Sequence, residues 1–315
     1  MDKPLYVIGI EGGGTKTTAV LCALDGIILS EAQGGPSNFH IVGIEKTAGT
    51  ILDLIQTCCH SVGCGVSQIG AVVAGLAGAG RVLDQQRIME RLLEIARIKN
   101  FNLEKVSIES DARIALEGAF SGKPGVVVIS GTGSIVFGKD ERDRIYRAGG
   151  WGRLIGDEGS GYAIGREAFR AVVKLLDGYG EKTKLAKLFN EKFGLGTQDA
   201  VIDAVYGEKY NLASVVPAVM EAASKGDSVA KKILVLACSD LVEVINAVLN
   251  KMNKGRKGVP KRPLAFVGSL LMNDNFYSRK IRSTIKREVP LVVIRNAESS
   301  PVVGAALLAI QLLNE

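Results

Sequence analysis

The chain has 315 residues, of which 47% are hydrophobic, 23% are charged and 38 are glycine, and its net charge is +6. This composition excludes a disordered chain, and the length suits two domains. The apolar runs at residues 125–129 and 301–313 are shorter than a membrane span, and residues 1–4 lack the apolar core of a signal peptide. We therefore expect a cytoplasmic protein that has no membrane partner.

In chain order, strand and helix patterns alternate after an opening meander of three strands. Apolar and β-branched runs predict strands at residues 6–10, 18–24, 27–30, 69–74, 106–108, 125–129, 264–267 and 291–294. Helical spacing predicts helices at residues 45–59, 83–98, 112–120, 159–176, 229–249, 275–287 and 301–313. Most of the stretch 182–250 also has a helical pattern. Such alternation is typical of the α/β class.

One supersecondary unit occurs twice in the sequence. Residues 6–21 and 125–138 both read as an apolar strand, a turn of glycines and hydroxyl residues, and a second strand. We interpret the pair as an internal duplication. The duplication predicts two similar α/β domains, each of which presents one glycine loop.

A basic segment lies at residues 251–262, where six residues are Lys or Arg. Such a segment fits either an anion or nucleic-acid patch or a solvated loop between a helix and a strand. Because no aromatic residues interleave for base stacking, the loop is favoured and no nucleic-acid partner is predicted.

The five cysteines show no clear metal-binding pattern. Their odd number indicates reduced thiols. The spacing of Cys58, Cys59 and Cys64 matches no common zinc motif. Small buried thiols on a helix are the favoured interpretation.

Standard nucleotide and hydrolase motifs are absent. Residues 11–18 lack the G-K-[ST] order of a Walker A loop, and Thr17 stands where a dinucleotide fingerprint needs its third glycine. His40 and His60 are the only histidines and no G-x-S-x-G occurs, so a Ser–His–Asp triad is not supported.

The two glycine-rich turns offer groups that bind anions. The first turn contains Gly12, Gly13, Gly14, Thr15 and Thr17, and the second contains Ser130, Gly131, Thr132, Gly133 and Ser134. Glycines let backbone N–H groups approach an anion closely, and hydroxyls add donors. Either turn alone also fits an ordinary hairpin, but the repetition favours two loops that clamp a polyphosphate.

Asp111 ends a short predicted strand and precedes a helix. A carboxylate at that end of a strand lies where ligands bind α/β domains, so Asp111 could accept a proton from a substrate hydroxyl. The same position also fits a helix N-cap. Spacing alone leaves both roles open.

Residues 149–161 are rich in glycine and contain the only tryptophan, Trp151, and two adjacent carboxylates, Asp157 and Glu158. Carboxylates accept hydrogen bonds from sugar hydroxyls, so this mixture suits a polyhydroxylated ligand. A glycine-rich turn followed by a helix that begins at Ser160 is the structural alternative. Asn38 likewise fits either a ligand contact or a turn.

The sequence resembles the N-acetylglucosamine kinase branch of the actin/hexokinase/Hsp70-type ATPases. That branch is grouped with the activator ATPases of benzoyl-CoA reductase and 2-hydroxyacyl-CoA dehydratase. The resemblance covers nearly the whole chain and depends on five motifs in order. These are G-[IV]-E-G-G-G-T-K at residues 9–16, G-P-S-N-F-H at 35–40, S-D-A at 110–112, I-S-G-T-G-S at 129–134, and G-G-W-G-x-x-x-G-D-E-G-S at 149–160.

The resemblance implies a role for individual residues. It implies that ATP is held by Gly13, Gly14, Thr15, Lys16, Thr132, Gly133, Gly268 and Ser269. It implies that the sugar is contacted by Asn38, Asp111, Ser134, Gly150, Trp151 and Asp157, with Asp111 as the catalytic base. Glu11, where many relatives have Asp, would help to hold Mg²⁺ through water.

The resemblance also implies an activity: ATP-dependent transfer of a phosphoryl group to the 6-hydroxyl of N-acetylglucosamine or a related sugar, such as glucosamine, N-acetylmuramic acid or a hexose. The alternative is an activator ATPase of a dehydratase or reductase, and a sugar-sensing regulator is a third interpretation. Relatives make a homodimer plausible.

The expected fold is α/β, with two ribonuclease-H-like domains of the actin-like ATPase type and a cleft between them. The predicted N-terminal domain comprises residues 1–112 and 297–315. The predicted C-terminal domain comprises residues 113–296 and contains helical insertions.

Overall fold

The computed structural model of the chain describes residues 5–207, 210–255 and 258–315. Two compact units result: unit 1 comprises Met1–Gly125 and Asn296–Glu315, and unit 2 comprises Val126–Arg295. Residues 1–4, which above were found to lack the apolar core of a signal peptide, and Arg256 and Lys257 of the basic segment lie outside the described residues.

The described strands and helices follow the predicted alternation. The strands are β1 Tyr6–Gly12, β2 Thr17–Ala23, β3 Ile28–Gly34, β4 Ile69–Leu76, β5 Lys105–Ser110, β6 Gly125–Ser130, β7 Ser134–Lys139, β8 Ile145–Gly149, β9 Arg262–Val267 and β10 Val292–Ile294. The helices are α1 Phe39–Val62, α2 Val82–Ile98, α3 Asp111–Ala119, α4 Gly161–Leu176, α5 Leu185–Phe193, α6 Gln198–Ile202, α7 Val216–Ser224, α8 Ser228–Asn253, α9 Ser269–Met272, α10 Phe276–Glu288 and α11 Pro301–Asn314.

The two units repeat one sheet topology, as the described residues show. In unit 1 the order is β3-β2-β1-β4-β5, with β1–β2 and β2–β3 antiparallel and β1–β4 and β4–β5 parallel. In unit 2 the order is β8-β7-β6-β9-β10, and β6–β9 and β9–β10 are again parallel. The predicted α/β class and the internal duplication are thereby confirmed, and each unit has the ribonuclease-H-like arrangement.

The sheet of unit 1 is covered on both faces. Because side chains alternate along a strand, Ile8 and Ile10 of β1 join the core beneath α1 and α2, while Val7 joins the core beneath α3 and α11. Strands buried on both faces read as continuous apolar runs, as β4 does. Of the three cysteines predicted to be buried thiols on a helix, Cys58 and Cys59 are buried on α1, whereas Cys64 follows the helix and is half-buried.

Helix α8 forms the centre of the unit 2 core. Among the described helices it alone is long and apolar enough to cross a membrane, but half of that apolar stretch is buried inside the protein. Ile245, Val248 and Leu249 are among its buried residues, and the helix packs on α4, α7, α10 and strands β7 and β8. Its hydropathy is therefore that of a core helix.

Three details differ from the predicted elements. Helix α1 begins at Phe39, earlier than predicted, because Asn38 caps it; Gly43, with φ of +80°, interrupts its first turns. Strand β8 was not predicted, since its residues are mostly half-exposed and lack an apolar run. The predicted boundary between the domains, after residue 112, is wrong because it cuts through helix α3. This helix packs against α11 and belongs entirely to unit 1.

Helix α11 lies in unit 1 and approaches its neighbours at glycines. A Cβ atom at Gly304 would lie 2.0 Å from the Ile114 carbonyl oxygen and 2.5 Å from the Gly118 nitrogen of α3. A Cβ at Gly9 of β1 would lie 2.3 Å from the Ala306 nitrogen. Backbone atoms cannot move aside as flexible side chains do, so these positions require glycine.

We expect Gly304→Ala to lower the free energy of unfolding by about 1–3 kcal/mol, because the added methyl group must push α11 away from α3. The matched control is Gly49→Ala on helix α1, where an added Cβ meets nothing within 4 Å. This control should be neutral or stabilising by up to about 1 kcal/mol, because alanine favours helix. Urea unfolding of both variants measures the difference, and equal stabilities would contradict the close approach.

Candidate active site

The carboxyl ends of three parallel strands bring polar residues together in unit 1. Glu11 of β1 is in register with Gly75 of β4, which is in register with Glu109 of β5. Asp111 follows the last residue of β5. Ligands of open α/β sheets bind at this edge, so the sheet topology places both Glu11 and Asp111 at the expected location.

The first glycine loop connects β1 to β2 and is held by its own backbone. The Gly13 N–H donates to the Lys16 carbonyl at 3.0 Å, and the Gly13 carbonyl accepts from the N–H groups of Ser37 and Asn38, both at 3.0 Å. A Cβ at Gly12 would lie 2.1 Å from Ser37 Oγ, so this glycine serves packing. The loop tip, formed by Gly14, Thr15 and Lys16, is exposed.

Thr17, in contrast, is not available to a ligand. It is fully buried, and its hydroxyl donates to the Gly35 carbonyl at 2.6 Å and lies 2.8 Å from Ser37 Oγ. Its interpretation as an anion donor is therefore wrong: the hydroxyl joins the loop to the segment after β3.

Asp111 is not the N-cap of α3. Ser110 has that role, because its Oγ accepts from the Arg113 N–H at 3.2 Å. Asp111 is the first helical residue, and its Oδ1 accepts from the Ala112 N–H at 2.8 Å. Although the side chain still reaches solvent, burial by the surrounding chain raises the pKa of Asp111 above its usual value, partly offset by the bond from Ala112. Helix capping therefore does not explain why an aspartate occupies position 111.

The charge of Asp111 acts on Glu11. The pKa of Glu11 is raised, first by burial and then by the negative charge of Asp111, while Lys16 lowers it. Mg²⁺ is commonly held by one or two carboxylates together with substrate phosphates. A cation beside Glu11 would relieve this like-charge repulsion, so the residues present fit the predicted Mg²⁺ site.

Asn38 combines a structural role with a free amide. Its Oδ1 accepts from the His40 N–H at 3.1 Å and caps α1. Gly78, in the loop after β4, has φ of +90°, and a Cβ there would lie 3.3 Å from the same Oδ1. In the described part of the chain the Asn38 Nδ2 has no hydrogen-bond partner, so it can still donate to a ligand.

The second glycine loop, in unit 2, is held by the segment that follows β8. The carbonyls of Gly131 and Thr132 accept from the N–H groups of Gly161 and Tyr162, at 2.8 and 3.1 Å. The buried Ser134 hydroxyl donates to the Glu158 carbonyl at 2.7 Å. Thr132 is exposed at the loop tip. The structure therefore joins two motifs that are well separated in the sequence.

The glycine-rich segment after β8 has a buried end and an exposed tip. Asp157 is buried with φ of +61°, and it accepts bonds from the Ser134 and Gly152 N–H groups. Burial raises the pKa of Asp157, and these two bonds partly offset the rise. Trp151 is 69% exposed, with the Arg147 guanidinium 5.7 Å from its ring centre.

Two further residues of this segment are placed tightly. A Cβ at Gly150 would lie 2.4 Å from Ile135 Cδ1, so Gly150 is needed for packing. Glu158 Oε2 is buried and has no hydrogen-bond partner among the described residues. A buried acceptor of this kind calls for a water or a ligand hydroxyl.

Unit 2 also contains a cavity of about 350 Å³ beside the second glycine loop. Its lining residues are Gly131, Thr132, Gly161, Ala213, Val216, Pro217, Met220, Ser269, Leu270, Asn273 and Asn275. The cavity brings together Thr132 and Ser269, both predicted to hold ATP. Gly268 has φ of +98°, and a Cβ there would lie 2.3 Å from the Ser130 carbonyl oxygen, so only glycine fits this turn.

The α7 residues of this cavity were not predicted. Val216, Pro217 and Met220 belong to an apolar helical stretch that looks like ordinary core in the sequence. Only the fold places them beside the glycine loop.

These two repeated units define an actin-like ATPase fold. The chain belongs to the BadF/BadG/BcrA/BcrD ATPase family, whose profile matches residues 8–309. The family predicted from the five motifs is confirmed.

Two curated relatives and one solved structure resemble the chain over nearly its whole length. It is 34% identical over 307 residues to the N-acetylmuramic acid/N-acetylglucosamine kinase of Clostridium acetobutylicum, covering 96% of this chain and 98% of that protein. It is 33% identical over 322 residues to the N-acetyl-D-glucosamine kinase of Dictyostelium discoideum, covering 98% and 99%. A crystal structure assigned as an N-acetylglucosamine kinase from Chromobacterium violaceum matches with a TM-score of 0.72 at 26% identity, covering 98% and 99%.

We expect Asp111→Asn to raise the free energy of unfolding at neutral pH. A carboxyl group whose pKa is raised by folding opposes folding once the pH exceeds that raised value, whereas below the unfolded-state pKa it is protonated in both states and has no such effect. The amide carries no charge and can still accept from Ala112. Urea unfolding at about pH 7 and about pH 4 should show a gain that shrinks at the lower pH.

Ser110→Ala is the control, because the serine hydroxyl caps the same helix and does not titrate in this range. Its loss should lower the free energy of unfolding by about 1 kcal/mol at both pH values. An Asp111→Asn protein less stable than wild type at neutral pH would contradict the assigned effect of burial.

Proposed function

We propose that this protein is an amino-sugar kinase that transfers the γ-phosphoryl group of ATP to the 6-hydroxyl of N-acetylglucosamine or a related sugar, such as glucosamine, N-acetylmuramic acid or a hexose. The observation that carries the proposal is Asp111, which lies at the ligand-binding edge of the unit 1 sheet, is released from capping by Ser110, and has a raised pKa. The names of the two curated relatives support a sugar as the acceptor.

Asp111 acts as the general base. Its Oδ1 is occupied by the Ala112 N–H, so Oδ2 is the oxygen that takes the proton from the attacking hydroxyl. A base works best when its pKa lies near the working pH, and burial moves that of Asp111 in this direction. The bond from Ala112 fixes the orientation of the carboxylate toward its substrate.

Glu11 and Lys16 provide the charged groups next to this base. Glu11 would hold Mg²⁺, which when bound neutralises charge on the phosphate oxygens. Lys16, exposed at the tip of the first loop, attracts the phosphates together with the backbone N–H groups of Gly14 and Thr15. Gly13 shapes the turn, since its own N–H is used within the loop.

The cavity of unit 2 holds the nucleotide. Thr132 and Gly133 of the second loop contact its phosphates, and the Gly268-Ser269 turn contacts the nucleoside. The exposed Thr132 hydroxyl and the Ser269 hydroxyl provide the polar contacts. Apolar side chains of α7 and Leu270 provide the surface on which a base is buried.

The sugar is contacted by residues that keep a free group or an exposed face. The Asn38 Nδ2 donates to a sugar oxygen, and the exposed ring of Trp151 packs on the sugar. Gly150 leaves room, while Asp157 accepts from a sugar hydroxyl with its remaining lone pairs. Ser134 supports this set by holding the Glu158 backbone. A cytoplasmic location and a homodimer remain predictions.

The activator ATPase is not favoured. Such an activator presents cysteines for an iron–sulfur cluster, and Cys238 is the only cysteine of unit 2. It is buried in α8, and burial raises its pKa to about 12, so it is a poor source of the thiolate that iron requires.

We expect sugar-dependent ADP release with Mg-ATP, measured in a coupled assay against N-acetylglucosamine, glucosamine, N-acetylmuramic acid, N-acetylmannosamine and glucose. Asp111→Asn should lower kcat at least about 100-fold, because loss of a general base removes roughly 10²–10⁴-fold. ATP hydrolysis that is indifferent to every sugar and to this substitution would overturn the kinase proposal in favour of the activator.

The matched control is Glu109→Gln, which makes the same carboxyl-to-amide change two residues earlier on β5. Glu109 Oε1 accepts from the Ser107 hydroxyl at 3.2 Å and has no assigned role in the reaction. Its kcat should remain within about twofold of wild type, well inside the effect of losing a base.

We expect kcat/KM for the sugar to fall as the pH is lowered, with an apparent pKa above the usual value of an aspartate. The base is active only as the carboxylate, so protonation through its raised pKa removes activity from the acid side. Initial rates between about pH 4 and pH 8 test this. An acid limb at or below the usual aspartate value would contradict Asp111 as the base.

A further inference from the structure

The nucleotide cavity of unit 2 offers few groups that could identify a base. Its apolar lining comes from Ala213, Val216, Pro217, Met220 and Leu270. Such side chains bind a flat ring by burying its surface, which does not depend on the position of exocyclic groups. Discrimination between bases therefore requires polar groups of the lining.

The backbone carbonyls of the lining are largely committed to the fold. The Ala213 carbonyl accepts from the Val216 N–H, and the Ser269 carbonyl accepts from the Asn273 N–H at 3.3 Å. The carbonyls of Gly131 and Thr132 accept from the N–H groups of Gly161 and Tyr162, the first two residues of α4. The carbonyls of Leu270 and Asn273 accept from the Asn275 side chain, each at 3.0 Å.

Asn275 is also fully committed. Its Nδ2 makes the two bonds just described, and its Oδ1 accepts from the Ser278 N–H at 2.8 Å, which caps α10. Asn273 differs: its side chain is exposed, lines the cavity and has no hydrogen-bond partner among the described residues. The Asn273 amide is therefore the free side-chain amide of this lining.

A free amide reads the 6-position of a purine in either chemical form. The 6-amino group of adenine donates, whereas the 6-oxo group of guanine or hypoxanthine accepts. An amide carries both a donor and an acceptor, and its terminal torsion has two nearly equivalent orientations. Rotation of Asn273 by half a turn would satisfy either base.

Resting on the proposed kinase function, we propose that the phosphoryl donor site accepts purine nucleoside triphosphates in general, with Asn273 as the residue that reads the purine 6-position. GTP and ITP then serve as donors alongside ATP. Asn273 touches only the base, so it affects donor choice and takes no part in phosphoryl transfer.

The first test measures kcat/KM of the wild-type protein for Mg-ATP, Mg-GTP and Mg-ITP at a saturating concentration of the preferred sugar. We expect GTP and ITP to lie within about tenfold of ATP, which is less than one good bidentate base contact provides. A value more than about tenfold below ATP for either donor would overturn the proposal.

The second test uses Asn273→Asp. A carboxylate only accepts hydrogen bonds, so it keeps the contact with a 6-amino group and repels a 6-oxo group. The ratio of kcat/KM for GTP to that for ATP should fall at least about tenfold. An unchanged ratio would show that Asn273 does not read the base.

Asp274→Asn is the matched control for the second test. Asp274 is the next residue, is exposed, pairs with Arg279 at 2.8 Å and does not line the cavity. The GTP-to-ATP ratio of this variant should equal that of wild type. Because this variant removes a negative charge where Asn273→Asp adds one, a ratio that rises about as far as it falls in Asn273→Asp would assign the effect to the local charge of the turn and overturn the role of Asn273.

Titration calorimetry with Mg-ADP and Mg-GDP separates failure of this inference from failure of the kinase proposal. Comparable affinities for both, without sugar-dependent turnover, would support the purine site and overturn the kinase. Binding of ADP more than about tenfold tighter than GDP, with normal turnover from ATP, would overturn the purine site alone. Absence of binding by either nucleotide would overturn both.

Discussion

Backbone contact at three glycines holds helix α11 against strand β1 and helix α3. Gly304 meets Gly118 of α3, and Gly9 of β1 meets the backbone at Ala306, each too closely for a Cβ atom. Strand β1 carries Glu11 next to its last residue, and helix α3 begins at Asp111. Rigid packing of this kind fixes the positions of β1 and α3 relative to each other, because backbone atoms cannot be rearranged by a rotamer change. The packing of α11 on both elements therefore helps to fix the relative placement of the two carboxylates.

The placement of Glu11 and Asp111 lowers the stability of the folded protein when both carboxylates are ionised. Burial raises the pKa of both Glu11 and Asp111, and the charge of Asp111 adds to the effect on Glu11. Groups of like charge are commonly brought together at functional sites despite such a cost, because their reactivity depends on it. Lys16 lowers the pKa of Glu11 but only partly offsets the effect. The remaining repulsion is consistent with a site that a cation and phosphates complete.

In unit 2 the hydrogen-bonding capacity of the site is mostly spent on the fold. The second glycine loop is held by Gly161 and Tyr162, and the turn after β9 is held by Asn275. Once these groups are paired, the side-chain groups that remain for a ligand among the described residues lining the cavity are a small set: the hydroxyls of Thr132 and Ser269 and the amide of Asn273. So few free side-chain groups leave this lining little with which to select a base.

The sequence by itself determined the class, the duplicated strand–turn–strand unit and most of the motif residues. These depend on local signals: apolar alternation, the geometry that glycine permits, and motif order. The tertiary structure alone decided which of these residues are free. Thr17 resembles a ligand group in the sequence but its hydroxyl is used internally, whereas Asp111 keeps an oxygen free because its neighbour Ser110 caps the helix. The α7 side of the cavity proposed to bind the nucleotide was likewise not predictable, since an apolar helix looks the same in the sequence whether it faces a core or a ligand. Whether a polar side chain is free to bind a ligand depends on hydrogen-bond partners that are distant in the chain. Only the fold determines which residues these partners are.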